Sequence, residues 1–277
     1  MAIISISRGS ESFGTQVAEK VAQRLGYRCL GREAVFRPEY LGGVPEQELQ
    51  WALDQSPLFF ERSAHSKDRY IATVRAALLN QLSQDNVVYH GFMGHYFLQE
   101  VEHALKVRIL AEMDDRVSVT VAREGLDARE ARRQLRLRDR DQQRWGRYLY
   151  GADPADPAWY DVVLHVGKMG SDGAAAIVCS LAGVDPFQST EASRKKVRDL
   201  ALVASVQAAL SQFVLDIDVQ DVTASNGVAH VVYRLVSGGR YSGVDSEHNL
   251  VALHRAVHER THALPGLKRL RLVRQDA

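Results

Sequence analysis

Over the first ~180 residues the apolar positions form short continuous runs separated by stretches with helical spacing. Ala2 to Ile6 is a β-rich run that ends at Ser7-Arg8-Gly9-Ser10. From about Gly14 to Leu25 the apolar residues Val17, Ala18, Val21, Ala22 and Leu25 recur at helical spacing, and Gly26 supplies a stop. Tyr27 to Leu30 reads as a second short strand. Residues 45 to 84 read as helical with a break near Ser56-Pro57, and Ile71, Val74, Ala77, Leu78 and Leu82 give the clearest stripe. Further apolar runs at Val87-Val88-Tyr89, Val107 to Ala111 and Asp161 to Val166 predict strands. Helices are expected over Asp115 to Glu124, Ala128 to Leu149 and Asp172 to Ala182. Strands with near-continuous apolar character that alternate with helices indicate a parallel sheet covered on both faces.

The pattern changes near residue 184. Gly183 to Lys196 is polar and carries Pro186, which predicts a linker over 184–196 between a domain at 1–183 and another at 197–277. In the second domain, Val197 to Phe213 has amphipathic spacing and Asp216 to Thr223 reads as a strand. Ser225-Asn226-Gly227 is a hairpin signal, with Val228 to Val236 as its return strand. A helix at Ser246 to His262 and a strand at Leu267 to Val273 complete an α-β-β-α-β module. The fold class expected is therefore α/β, a helix-flanked parallel sheet, plus a small α+β domain.

Composition narrows the function classes. The formal charge of +1 gives no global drive toward nucleic acid or an anionic membrane, so no nucleic-acid partner is expected. No apolar run approaches the ~20 residues of a membrane span. The N-terminal MAIISISRG lacks the basic region of a signal peptide, which predicts a cytoplasmic protein. Cys29 and Cys179 sit in apolar stretches and are expected to be reduced, buried small residues. Charge is uneven locally: ten arginines and no lysine lie between Arg116 and Arg147, against five acids.

Four groups of residues can carry chemistry. The loop Gly9-Ser10-Glu11-Ser12-Phe13-Gly14 follows a strand and opens a helix, so its backbone N–H groups can cradle a phosphate. It meets the glycine part of the G-x-x-x-x-G-K-[ST] pattern, but Thr15 and Gln16 stand where lysine and a magnesium-binding hydroxyl are wanted. A small-residue turn is the plain alternative. The stretch Arg138 to Arg147 can supply guanidinium forks to a transferred phosphoryl group, or can be a solvated helix of Arg/Asp pairs. His90-Gly91-Phe92-Met93-Gly94-His95 lies at the C-terminal end of a strand, where open α/β sheets bind ligands. His254, His258 and His262 share one helix face, but no acid or cysteine completes a metal set, so no metal site is expected.

Taken together, several segments resemble the cytidylate kinase-like family of P-loop proteins. They are Ile4 to Arg8 with the glycine loop, Leu30-Gly31-Arg32-Glu33, Val87 to Gly91, Asp114 to Val117, Gly125-Leu126-Asp127 with Glu130-Ala131, and Tyr148 to Gly151 followed by Asp156-Pro157 and Tyr160-Asp161. These matches run in order over residues 1 to 182. The resemblance implies a five-stranded parallel sheet, an arginine lid, and transfer of the ATP γ-phosphate to a nucleotide such as CMP with Mg2+. Carried onto this chain, it places Gly9, Ser10, Ser12, Gly14, Thr15 and Arg116 at the ATP phosphates, and Arg8, Arg144 and Arg147 in catalysis. The candidates for acceptor binding are Arg32, His90, Gly91, His95 and Arg140.

The departures weaken the implied activity more than the implied fold. Lysine is missing at Thr15, Glu11 adds an acid to the loop, Gly31 replaces an aspartate, and Phe92 stands where an arginine holds the monophosphate. A catalytically silent nucleotide-binding protein therefore remains the rival reading. The C-terminal module resembles a BON domain in element order and in Pro265-Gly266-Leu267. That implies an accessory module with a small-molecule, lipid or protein ligand; an unrelated module that forms homo-oligomers is the alternative.

Overall fold

A computed structural model describes residues 2–31, 33, 64–91, 94–241 and 246–275. Two compact units divide the chain. Among the described residues the first holds 2–33 and 84–193, and the second holds 64–83 and 194–275.

The first unit is built on a five-stranded, all-parallel sheet in the order β2-β3-β1-β4-β5, with β1 at Ile3–Arg8, β2 at Arg28–Gly31, β3 at Val87–His90, β4 at Ala104–Leu110 and β5 at Val162–His165. The strand β1 is central, and its Ile3, Ile4 and Ile6 are fully buried together with the interleaved Ser5 and Ser7, so both of its faces are covered. Helix α1 (Gly14–Leu25) packs Val17, Ala18, Val21 and Ala22 onto that core, and Gly26 closes it in a left-handed conformation whose N–H reaches Ala22 O and Gln23 O.

After β4 come α4 (Met113–Glu124) and α5 (Ala128–Tyr150); a helical turn, α3, covers Gly94–Phe97. Asp127 caps α5 by accepting from the Glu130 N–H at 2.9 Å. The unit ends with α6 (Gly170–Ala182), which lies against α1 through Lys20 and Arg24 on Asp172.

The expected sheet and its helices are present, with boundaries shifted by a few residues. The helical reading of 45 to 84 is seen as α2 (Ala64–Leu82), and the rest of it lies outside the described residues. Correction is needed at the cysteines. Cys29 is exposed, because β2 is an edge strand, and Cys179 is only half-buried; both are free.

In the second unit α7 (Glu191–Leu210) begins six residues before the expected Val197 start, inside the stretch read as linker. It is followed by β6 (Ile217–Ser225), β7 (Val228–Leu235), α8 (Ser246–Thr261) and β8 (Arg269–Arg274), with sheet order β6-β7-β8. The faces of α7 and α8 bearing Leu202, Val206, Leu253 and Val257 pack on Val222, Val231, Tyr233 and Leu270. This unit also includes α2, whose Asn80 amide donates to Ser205 Oγ at 2.8 Å. His254 is committed to Tyr233, its Nε2 lying 2.9 Å from the Tyr233 hydroxyl.

The Asn226-Gly227 turn joins β6 to β7. Gly227 has φ +85°, and a Cβ there would lie 2.8 Å from the Gly266 carbonyl oxygen. Gly227→Ala should therefore lower stability by about 1–3 kcal/mol. Gly238→Ala, at φ +82° with open space around it, should cost only the conformational part. Urea unfolding of the two variants checks the difference, and equal losses would show that the approach of Gly266 is immaterial.

Candidate functional site

Strands β1 and β4 are neighbours, yet the chain leaves β1 toward β2 and β3 and leaves β4 toward β5. Their C-terminal ends therefore open a crevice at a topological switch point, the usual ligand position in an open parallel sheet. A cleft of about 130 Å³ lies there. Ser7, Arg8, Gly9 and Ser12 form one wall, Arg108 to Ala111 and Arg116 form another, and Asp139, Gln142, Gln143 and Pro154 close it.

The loop after β1 is bent by two non-glycine residues in the left-handed region, Glu11 at φ 55° and Phe13 at φ 64°, with Ser12 between them. Ser12 Oγ donates to the Gly9 carbonyl at 2.9 Å and holds the bend. Alternation of this kind is the backbone pattern that can turn successive amides to one side, as an anion cup at the start of α1 would need. Phe13 does not fill the cup, since its ring packs against the core below. Glu11 turns aside to Arg123 at 2.8 Å and is not part of the cleft wall. Gly14 is required as glycine: a Cβ there would meet Arg8 Cβ at 2.6 Å, so the stem of the Arg8 side chain packs directly against Gly14.

Three guanidinium groups reach the cleft. Arg8 ends β1. Arg108 donates to the Pro154 carbonyl and to Tyr160 Oη at 3.2 Å. Arg116 is buried; its Nε donates to the Ser10 carbonyl at 2.7 Å, and its fork grips Asp139 at 2.9 and 2.7 Å. A second ionic chain runs outside the cleft from Glu11 through Arg123 and Glu124 to Arg138. Hydrogen bonds from Arg138 and then Arg123 hold the Glu124 carboxyl at about 2. The 9–14 loop is thus tied to α4 directly and to α5 through acid bridges.

Behind Arg108 the Tyr160 hydroxyl donates to Pro154 O at 2.8 Å, and its oxygen sits 3.1 Å from Ser7 Oγ and 3.2 Å from His95 Nε2. His95 is fully buried. Burial, and then the nearby Arg108 and Lys106, push its pKa down to about 3, so it is neutral near pH 7.

The structure brings Arg8, Gly9, Ser10, Ser12, Gly14 and Arg116 together around the cleft. Thr15 is half-buried in the first turn of α1 and is not part of the cleft wall. His90 ends β3, half-buried, with its pKa lowered by burial and then by Arg8; Gly91 donates its N–H to Ile6 O at 3.2 Å. His95 faces Tyr160. Arg32 and Phe92 lie outside the described residues.

Arg140, Arg144 and Arg147 are not in the cleft wall. All three are exposed, and Arg147 pairs with Asp153 at 2.7 Å. At 100° per residue they fall opposite the buried face of Ala131, Leu135, Trp145 and Leu149. The side of α5 turned to the loop presents Asp139, Gln142 and Gln143, so the expected arginine face points outward here.

Arg108 was not singled out from sequence and Tyr160 was noted only as part of a family-like segment with no site role, although Arg108 inside the buried run of β4 was a readable signal. Asp139 lay within the arginine-rich stretch but had no assigned partner.

With this geometry in place, the chain matches the sequence pattern of the cytidylate kinase-like family over residues 3–168. It is 27% identical over 176 residues to a cytidylate kinase of Archaeoglobus fulgidus, covering 63% of this chain and 91% of that protein. It is 23% identical over 197 residues to a cytidylate kinase of Pyrococcus horikoshii, covering 70% of this chain and 95% of that protein. Among solved structures, an uncharacterized protein from Eubacterium ventriosum superposes with a TM-score of 0.52 at 18% identity, over 67% of this chain and 100% of that one, a likeness of fold.

The depressed His95 pKa has a sign that can be worked out. Its folded value lies below the unfolded value near 6.5, so the unfolded chain binds more protons between them. The contribution to stability is present above pH 6.5 and is lost as pH falls toward 3, by at most about 1.4 kcal/mol per pH unit. His95→Gln should flatten the acid limb of stability against pH, measured by urea unfolding between these limits. An unchanged slope would show that His95 does not titrate as its burial requires.

Proposed function

The chain belongs to the cytidylate kinase-like family, and from that premise we propose that it is a nucleotide kinase that transfers the γ-phosphoryl group of ATP to a nucleoside monophosphate such as CMP. The observation that carries this reading is the convergence of Arg8, Arg108 and Arg116 on the amide cup at residues 9–14, at the switch point of a parallel sheet.

Phosphoryl transfer needs little covalent help from a protein. An acceptor oxygen forms the new P–O bond as the bond to the ADP oxygen breaks, and catalysis is positioning plus stabilisation of charge. The loop amides and Arg8 are suited to the ATP phosphates; Arg8 and Arg116 supply the cationic charge that Thr15 does not. The cleft side chains fit a phosphate anion. Mg2+ arrives with the nucleotide, and no group of three or more His, Cys, Asp or Glu among the described residues is arranged to hold it. His90, Gly91 and His95 stand on the β3 side, where the acceptor is proposed to bind.

One observation favours a second reading, that of a catalytically silent nucleotide-binding protein. The fork of Arg116 is already occupied by Asp139, so an incoming phosphate must displace a carboxylate. Incubation with ATP, CMP and Mg2+, followed by detection of ADP, separates the two. Turnover supports the kinase, binding without turnover supports the silent protein, and no binding at millimolar nucleotide removes both.

If the cup is the phosphate site, Thr15→Lys with Gln16→Ser should raise kcat/KM on the order of 10²-fold, the scale of one preorganised charge contact. An unchanged value in a folded double variant would place the phosphates elsewhere. For the second unit we propose an accessory, BON-like ligand-binding role, supported by the α-β-β-α-β order of its C-terminal part. A thermal-shift series with anionic phospholipid vesicles and small metabolites tests it, and no shift with any of them would remove the role.

A further inference from the structure

The arginines at the cleft differ in what they have left to give. Arg116 is fully committed: its Nε donates to the Ser10 carbonyl at 2.7 Å, and Nη1 and Nη2 both hold Asp139. Arg108 is committed on one nitrogen. Its Nη1 donates to the Pro154 carbonyl and to Tyr160 Oη at 3.2 Å, and these two acceptors match the two hydrogens that Nη1 carries. Among the described residues, nothing accepts from its Nε or Nη2. Nε–H and one Nη2–H run parallel along the same edge of a guanidinium, the arrangement that takes two phosphate oxygens together. Arg108 therefore offers the cleft a side-on fork that can take an anion with no contact broken, whereas Arg116 has to release a carboxylate first.

The aim of that fork is set from behind. Arg108 stands near the C-terminal end of β4, level with Ser7 on β1 and Val163 on β5. The Tyr160 ring lies 5.5 Å from its guanidinium carbon, and the phenol oxygen receives an Nη1 hydrogen. That oxygen is itself fixed by Pro154 O at 2.8 Å, Ser7 Oγ at 3.1 Å and His95 Nε2 at 3.2 Å, contacts that join β1, α3 and the segment after α5. With the phenol hydrogen given to Pro154, the oxygen is left to accept, so neutral His95 carries its hydrogen on Nε2. Its Nδ1 is then a bare acceptor, buried and without a hydrogen-bond partner, which costs less than burying an unpaired N–H. Every neighbour of the phenol thus holds it as an acceptor for Arg108.

We propose that Arg108 grips a phosphoryl group in the β1–β4 cleft through Nε and Nη2, and that Tyr160 is the positioning residue that holds it in that orientation. This rests on the phosphotransfer reading of the same cleft and adds to it the side chain that meets the phosphate. Arg116 then contributes charge while it stays on Asp139 and ties the loop to its neighbours.

Binding of ATP and of CMP to the full chain, each followed by titration calorimetry at one salt concentration, tests the assignment in four proteins: unchanged, Arg108→Gln, Tyr160→Phe, and both together. Arg108→Gln should weaken at least one of the two nucleotides by about 10- to 100-fold, the range for hydrogen bonds to a charged group. Which nucleotide is weakened tells whether the donor or the acceptor phosphate is held. Tyr160→Phe keeps the ring and should weaken the same nucleotide by about threefold or more. In the Arg108→Gln background it should weaken it no further, because its effect passes through Arg108; a merely structural loss would be equal in both backgrounds. Arg108→Lys keeps the charge but lacks the fork, so it should not restore the affinity, and it carries the same cycle if Arg108→Gln does not fold. A folded Arg108→Gln that binds both nucleotides like the unchanged chain overturns the assignment and leaves the phosphotransfer reading standing. Equal losses from Tyr160→Phe in both backgrounds overturn the positioning role. If the unchanged chain binds neither nucleotide, the reading and this inference fall together.

Discussion

One buried guanidinium joins the three segments that make the cleft. Arg116 sits near the start of α4, directly after β4, and reaches back to the Ser10 carbonyl while its fork holds Asp139 on α5. A loop with two non-glycine residues at positive φ stores on the order of 1–3 kcal/mol per residue, and such a bend persists only when its surroundings over-determine it. Here the constraints are the Ser12–Gly9 hydrogen bond, the Phe13 ring in the core and the Arg116 link. Loss of Arg116 would leave the loop without its link to α4 and Asp139 without a partner for its carboxylate.

Charge around the cup is arranged, not merely abundant. Three arginines face the cleft against one carboxylate, which leaves a net positive site even with Arg116 paired. Glu11 would oppose an anion if it faced inward, but Arg123 draws it outward, and Arg123 is itself held by Glu124 and Arg138. The ion pairs that tie Glu11 to its neighbours therefore keep its negative charge out of the cleft. Asp139 is the exception, and it decides how readily Arg116 can serve a ligand.

Much of the fold was legible because its signals are local. Short, β-branched apolar stretches at Ile3 to Ile6 and Val87 to Tyr89, each followed by a turn signal, point to buried strands, and Gly26 and Asp127 mark helix ends through their own backbone chemistry. The cup was legible for the same reason, since Gly9 and Gly14 flank a strand-to-helix turn. Pairings across the fold were not. Nothing near residue 80 announces that α2 belongs with a unit built mostly from residues beyond 194, because that grouping rests on contacts such as Asn80 with Ser205, 125 residues away in sequence. Arg108 escaped notice because one cation in an apolar run looks like noise until Tyr160 and Pro154 come to meet it.

The arginine-rich helix shows why a count of charges is a poor guide to a site. A helix turns 100° per residue, so a cation serves a cleft only if its position agrees with the buried stripe that fixes the helix's rotation. Ala131, Leu135, Trp145 and Leu149 set that rotation for α5, and they are hydrophobic enough that no surface charge can override them. Once they are placed, Asp139, Gln142 and Gln143 must face the loop, and Arg129, Arg133, Arg136, Arg140 and Arg144 must face away. Two chemically distinct surfaces then follow from one amphipathic pattern, a polar wall that completes the β1–β4 cleft and an exposed arginine face. A role assigned to any arginine in 129–147 has to agree with its angle on this helix before its charge can count.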